Sequence, residues 1–127
     1  MYGGLISYME TFKVTRVFAD ESGESHFEDI AYPLTDAGPI GFLSDGVKVK
    51  ELIFRKVSPT YDDFHTAPRR QYVVLLDEGV EIECSLGEKR AFAPGEILLM
   101  EDVTGKGHRS RNIRRAERNS LFIILAD

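Results

Sequence analysis

The sequence predicts an all-β chain folded as a sandwich or small barrel. Short β-branched and apolar stretches recur at regular intervals, and turns containing Gly, Pro or Asp separate them. No segment keeps a helical apolar period over three turns. KVTRVFA (13–19) is the first strand and ends at the polar cluster DESGES. HFEDIAYPL (26–34) is the second, closed by Pro33 ahead of a TDAGPIG loop. VKVKELIFRKV (47–57) places Val47 and Val49 on one face and Leu52 and Phe54 on the other. The change near Glu51 predicts a bulge, or a bend into a second sheet. SPTYDD reads as a loop, and His65 falls in a short Pro-containing loop after it. Six strands follow: QYVVLL (71–76), VEIEC (80–84), KRAFA (89–93), EILLM (96–100), GHRSR (107–111) and SLFIIL (120–125). The connections DEG, SLGE, PG and DVTGKG each supply a Gly able to take positive φ or a Pro that presets a turn.

There is no repeat, low-complexity tract or linker, so residues 1–127 read as one domain. A chain of this length buries roughly two thirds of the surface that it exposes when unfolded, so no disulfide is needed. The single cysteine, Cys84, alternates with Glu81 and Glu83 in VEIEC and reads as a buried apolar filler, which fits a reducing compartment. No window has the apolar length of a membrane span, and MYGGLISYMETF lacks the basic start and long apolar core of a leader. Met9 is a second candidate start. The expectation is a cytoplasmic protein that binds neither membrane nor nucleic acid, the latter because the net charge is −5. One segment runs the other way: Arg109, Arg111, Arg114, Arg115 and Arg118 face only Glu117. It reads either as a solvated connection or as a docking surface for an anionic partner or second subunit.

Two stretches carry the chemistry. FHTAPRRQYVVLLDEG (64–79) holds His65 and Gln71. GEKRAFAPGEILLMEDVTGKGH (87–108) holds a Pro-Gly turn and ends at His108. Together they resemble the paired motifs of the cupin superfamily: a Gly-bounded hairpin with His-x-His and a following Glu, then a Pro-Gly turn and a later His. The resemblance implies a jelly-roll barrel (a double-stranded β-helix) with its core at about residues 42–125. Residues 11–34 would pack on that core or on a partner subunit, and a homodimer is expected. It also maps His65 to the first motif histidine, Gln71 to the motif glutamate and His108 to the histidine of the second motif. Ala67 stands where a second histidine belongs, Gln71 is neutral where a carboxylate belongs, and Gly79 falls one residue late.

Two functional readings stay open. In one, the pocket binds a small organic molecule, with His65, Gln71 and His108 as hydrogen-bonding groups and Val73 and Leu75 lining it by strand alternation from Gln71. In the other, His65, Gln71 and His108 hold a divalent metal (Fe, Mn, Ni or Zn) with water completing its shell. The chain would then be a metal-dependent enzyme such as a dioxygenase or isomerase. A sensor or assembly module is a third use of the same pocket. No catalytic residue is assigned. His108 and Ser110 are expected to face inward and Arg109 and Arg111 outward. Glu101, Asp102 and Lys106, which flank the hairpin before His108 and are within reach of the barrel mouth, are expected in solvent beside their turn. His26 reads as an ordinary strand-edge residue. TGKGH is too short for a phosphate loop and leads into a strand, and no Gly-x-Ser-x-Gly elbow is present.

Overall fold

A computed structural model describes residues 10–127, so the start at Met9 lies outside the described residues. The first two strands, β1 (Thr11–Ala19) and β2 (Ser25–Pro33), form an antiparallel hairpin around the DESGES turn. Next come the two-residue strands β3 (Thr35–Asp36) and β4 (Phe42–Leu43), which flank a single 3₁₀ turn at Gly38–Ile40. The remaining strands are β5 (Val49–Val57), β6 (Asp62–His65), β7 (Gln71–Leu75), β8 (Val80–Cys84), β9 (Lys89–Phe92), β10 (Ile97–Met100), β11 (His108–Asn112) and β12 (Arg118–Leu125). The all-β expectation holds. No helix among the described residues is long and apolar enough to cross a membrane.

Ten of the strands form two facing sheets, and β3 and β4 pair with each other as a separate two-stranded sheet. A six-stranded sheet runs β2-β1-β10-β7-β12-β5 and a four-stranded sheet runs β6-β11-β8-β9. Among the described residues their edge strands have no further neighbour, and the two sheets do not close into a barrel. β1 pairs in parallel with β10 of its own chain, through Thr15 opposite Leu98 and Val17 opposite Met100. The N-terminal hairpin therefore pairs within the chain's own sheet, with β2 at its edge.

Alternation builds the core. Gln71, Val73 and Leu75 of β7 are buried on one face, as are Val80, Ile82 and Cys84 of β8. These faces meet across the sandwich, with Val17, Phe92, Leu98 and Met100 added from the neighbouring strands. Leu75 and Leu98 are almost wholly buried, and each contributes roughly 1.5–3 kcal/mol by that burial. Burial pushes the Cys84 thiol up to about 11, as suits an inert filler.

Two strand expectations need correction. The SPTYDD loop is partly strand: β6 begins at Asp62, and His65 ends it rather than lying in a loop. An arginine-aspartate pair helps hold it there, since Arg109 of β11 grips Asp62 through two hydrogen bonds, at 2.8 and 2.7 Å. In β5 the register against β12 jumps from Glu51 opposite Ile124 to Val49 opposite Leu125, leaving Lys50 as the extra residue of a bulge. The bulge expected near Glu51 is present, and it reverses the face assignment. Val49 lines an outer groove together with Ile123, the cross-strand partner of Leu52. Val49 and Leu52, and with Leu52 also Phe54, therefore share the outer face instead of opposing one another.

Candidate functional site

Between the sheets lies a cavity of about 40 Å³. His65, Gln71, Val73, Leu75 and His108 all line it, and so does Ala67. The two histidines come from the four-stranded sheet, where β6 and β11 pair with His65 directly opposite His108. Gln71 comes from the facing sheet, where it pairs with Met100 and Ile124. Residues far apart in the chain thus reach one space because two sheets present their inner faces to each other. Tyr72 and Val74 point to the opposite face, into the outer groove.

The loop before His108 is built to hold it in place. Gly107 has φ +80, and a Cβ there would lie 2.5 Å from the carbonyl oxygen of His65, so only glycine lets the two strands come this close. The Gly107 carbonyl accepts a 2.7 Å hydrogen bond from Ser25 Oγ, and Lys106 N donates to the Gly23 carbonyl at 2.8 Å. Both contacts fasten the TGKG turn to the β1–β2 hairpin. The resulting imidazole rings sit edge to face with centroids 4.9 Å apart.

Asp102 differs from its expected place. It is fully buried, not solvated, and its Oδ2 accepts a 2.5 Å hydrogen bond from His108 Nδ1. Its backbone carbonyl also accepts from Ala67 N at 3.1 Å, which ties the vacant motif position to the same loop. With Nδ1 donating to Asp102, Nε2 is the His108 nitrogen available to the cavity. Asp102 Oδ1 has no protein partner. His65 is held below the ordinary histidine range, first by burial and then by His108, with Asp63 opposing. Its Nδ1 lies 2.9 Å from Asp63 Oδ2. The approach is not aligned as a hydrogen bond, so the nitrogen remains without a bonded partner. Glu101 and Lys106 are bound as well: Glu101 lies between Arg16 and Arg70, and Lys106 meets Glu24 at 2.6 Å.

The Arg-rich segment divides. Arg109 and Arg111 point outward and pair with Asp62 and Glu81, as expected of residues flanking an inward His108 and Ser110. Arg118 is neither solvated nor outward. It is 1% exposed and lines the cavity, with Arg55 and Tyr61 beside it. A sequence signal for it existed: running the β12 alternation back from Phe122 and Ser120 puts Arg118 on the inner face. His26 sits on the edge strand β2, half exposed, and contacts Asp20 at 2.6 Å. That contact pulls the Asp20 carboxyl down to about 2.

Among the described residues no group of three His, Cys, Asp or Glu side chains is arranged to hold a metal. The donors that share the cavity are His65, His108 and the Gln71 amide, which brings no charge to balance a cation. No protein-family model matches the chain, and no curated protein matches it.

Proposed function

We propose that this protein is a small cupin-like jelly roll that binds a small organic molecule in the cavity between its sheets, around His65, Gln71 and His108. The observation that carries this reading is the buried Asp102–His108 contact, 2.5 Å long, beside His65. A carboxylate committed to one imidazole nitrogen orients the ring and makes the other nitrogen a defined acceptor. Apolar walls from Val73, Leu75, Ile82 and Phe122 surround this polar cluster, which is the usual make-up of a small-molecule site. The cavity's 40 Å³ is room for about three waters, at about 10–15 Å³ each, so the occupant is short. A homodimer belongs to the same reading. It is supported by the edge position of β5 and by the exposure of Leu52 and Phe54 on it.

The second reading is a metal-dependent enzyme, and the same Asp102 contact favours it. Metal-ligating histidines are commonly oriented by a carboxylate on their other nitrogen. In that case His65, Gln71 and His108 would hold a divalent ion, which would polarise a bound substrate oxygen or activate water. Elemental analysis of the full chain, purified without a metal-affinity tag, separates the two. The organic-ligand reading expects well below one equivalent of Fe, Mn, Ni or Zn per chain. A stoichiometric metal that survives dialysis would replace it with the enzyme reading.

A further inference from the structure

The end of the cavity away from the histidines holds an unusual pair of charges. Arg118 is 1% exposed, and of its guanidinium hydrogens only the one on Nε is matched, by Asn112 Oδ1 at 2.9 Å. Its Nη2 is buried with no partner. Among the described residues no carboxylate lies within ion-pair distance of it. Asp77 is near enough to favour its charge, but the Asp77 carboxylate is committed to Asn119, through the backbone N–H at 2.8 Å and the side-chain amide at 2.5 Å. Burial, and next the neighbouring Arg55, lower Arg118 to about 10, so it is still charged at neutral pH.

Arg55 also lines the cavity and likewise has no carboxylate partner. Its guanidinium lies over the rings of Tyr61 and Phe122, at 4.9 and 4.8 Å. Directly across the ladder from Arg55 stands Ser120, whose buried Oγ, like Arg118 Nη2, has no partner among the described residues. Ser120 follows Arg118 on the inner face of β12. Most of the other arginines meet acids: Arg16, Arg70, Arg90, Arg109 and Arg111 each contact at least one. Arg118 also lies over the Tyr61 ring, at 5.6 Å. At this end of the cavity two ring-stacked guanidiniums, one of them buried with an unmatched Nη2, therefore face the space without a carboxylate among the described residues, an arrangement complementary to an anion.

We propose that this end of the cavity is a subsite for the carboxylate of a short organic acid, bound by Arg118 and Arg55 with Ser120 beside them, while the rest of the acid reaches toward His65 and His108. The planar guanidinium matches a carboxylate in two parallel hydrogen bonds. The cavity's 40 Å³ suits an acid of a few heavy atoms better than a phosphate ester. This deepens the proposed small-molecule reading and rests on it for the histidine end only.

The test uses the full chain in chloride-free buffer, titrated with acetate, glyoxylate, acetamide and inorganic phosphate. Calorimetry measures affinity, and side-chain NMR follows the arginine Nε–H resonances. Acetate or glyoxylate is expected to shift the Arg118 and Arg55 resonances. It should also bind at least about tenfold more tightly than acetamide, the scale of one hydrogen bond to a charged group. Arg55→Gln, which alters a partly exposed residue and so preserves the core, should weaken the acid about tenfold and leave acetamide unchanged. The subsite is overturned if neither acid binds, if acetamide binds as tightly, if the arginine resonances stay still, or if phosphate is preferred to both acids. His108→Ala isolates the other reading. Acid binding that depends on Arg55 but ignores His108 retains the subsite and sinks the histidine-centred pocket. Dependence on His108 with none on Arg55 does the reverse.

Discussion

The cavity between the sheets measures about 40 Å³ and gathers two histidines, two arginines and a glutamine. The groove on the outer face of the six-stranded sheet measures about 430 Å³ and is lined by Phe12, Val14, Phe42, Val49, Val74, Ile123 and their apolar neighbours. Its main polar groups, the hydroxyls of Tyr32 and Tyr72, bond to each other. The larger hollow therefore offers apolar surface and little directional chemistry. The smaller one holds buried polar atoms that lack partners, and these are expensive to keep unless something is gained from them. Volume alone singles out the groove, with the exposed Leu52 and Phe54 alongside it, whereas unpartnered buried polar atoms single out the interior, and the proposed function follows the second criterion.

The contrast predicts where substitutions will matter. Asp102→Ala removes the carboxylate that His108 contacts among the described residues, and its effect should be the largest. Losing a buried hydrogen bond to a charged group, with the His108 N–H left unmatched, costs about 1.5–3 kcal/mol, read from urea unfolding with the slope unchanged. A loss under about 1 kcal/mol would mean that the Asp102–His108 contact does not organise the cavity.

The next effect is on binding. Ala67→His with Gln71→Glu restores the ligand set of the motif, and both positions line the cavity with His65 and His108. Calorimetric titration with Mn, Fe, Ni and Zn at neutral pH should show at least a roughly 10- to 100-fold gain in affinity, since changes around metal ligands alone produce that much. Protons should compete as pH falls below about 6.5. His65 lies below that ordinary value, so its own loss to protonation sets in at lower pH still. His108→Ala in the same background should undo most of the gain. Unchanged affinity in a well-folded double variant breaks the motif alignment.

The smallest stability effect belongs to the outer face. Phe54 is 79% exposed, so Phe54→Ser should shift stability by no more than about 0.5 kcal/mol. Its readout is assembly: light scattering should move from the dimer mass toward the monomer mass. A monomer before and after the change would remove the homodimer from the reading.

Much of this contrast was legible beforehand. Period-two patterning in QYVVL and VEIEC placed Val73, Leu75, Ile82 and Cys84 inside, because a strand exposes alternate residues to opposite faces wherever it runs. Gln71 followed by the same rule, from a strand whose other inward residues are apolar, and His108 shared its face with Ser110 by alternation against Arg109 and Arg111. Three residues did not follow. The bulge at Lys50 reversed the parity of Val49 against Leu52, and one inserted residue is enough to do so. Asp102 looked solvated because it flanks a glycine turn, yet the turn folds it beneath His108. Arg118 was hidden in a run of arginines whose other members mostly meet acids on the surface.

By itself the sequence determined the all-β class and the inward faces of β7, β8 and β11, since these depend on local periodicity and turn chemistry, while the motif resemblance offered the two histidines as candidates. Only the tertiary structure decided that β1 completes its own sheet, that Asp102 serves His108, and that Arg118 and Arg55 share an end of the cavity without a counter-ion. Those facts depend on which strands become neighbours and how closely two sheets approach. A pairing between distant segments leaves no mark in the spacing of residues along either one.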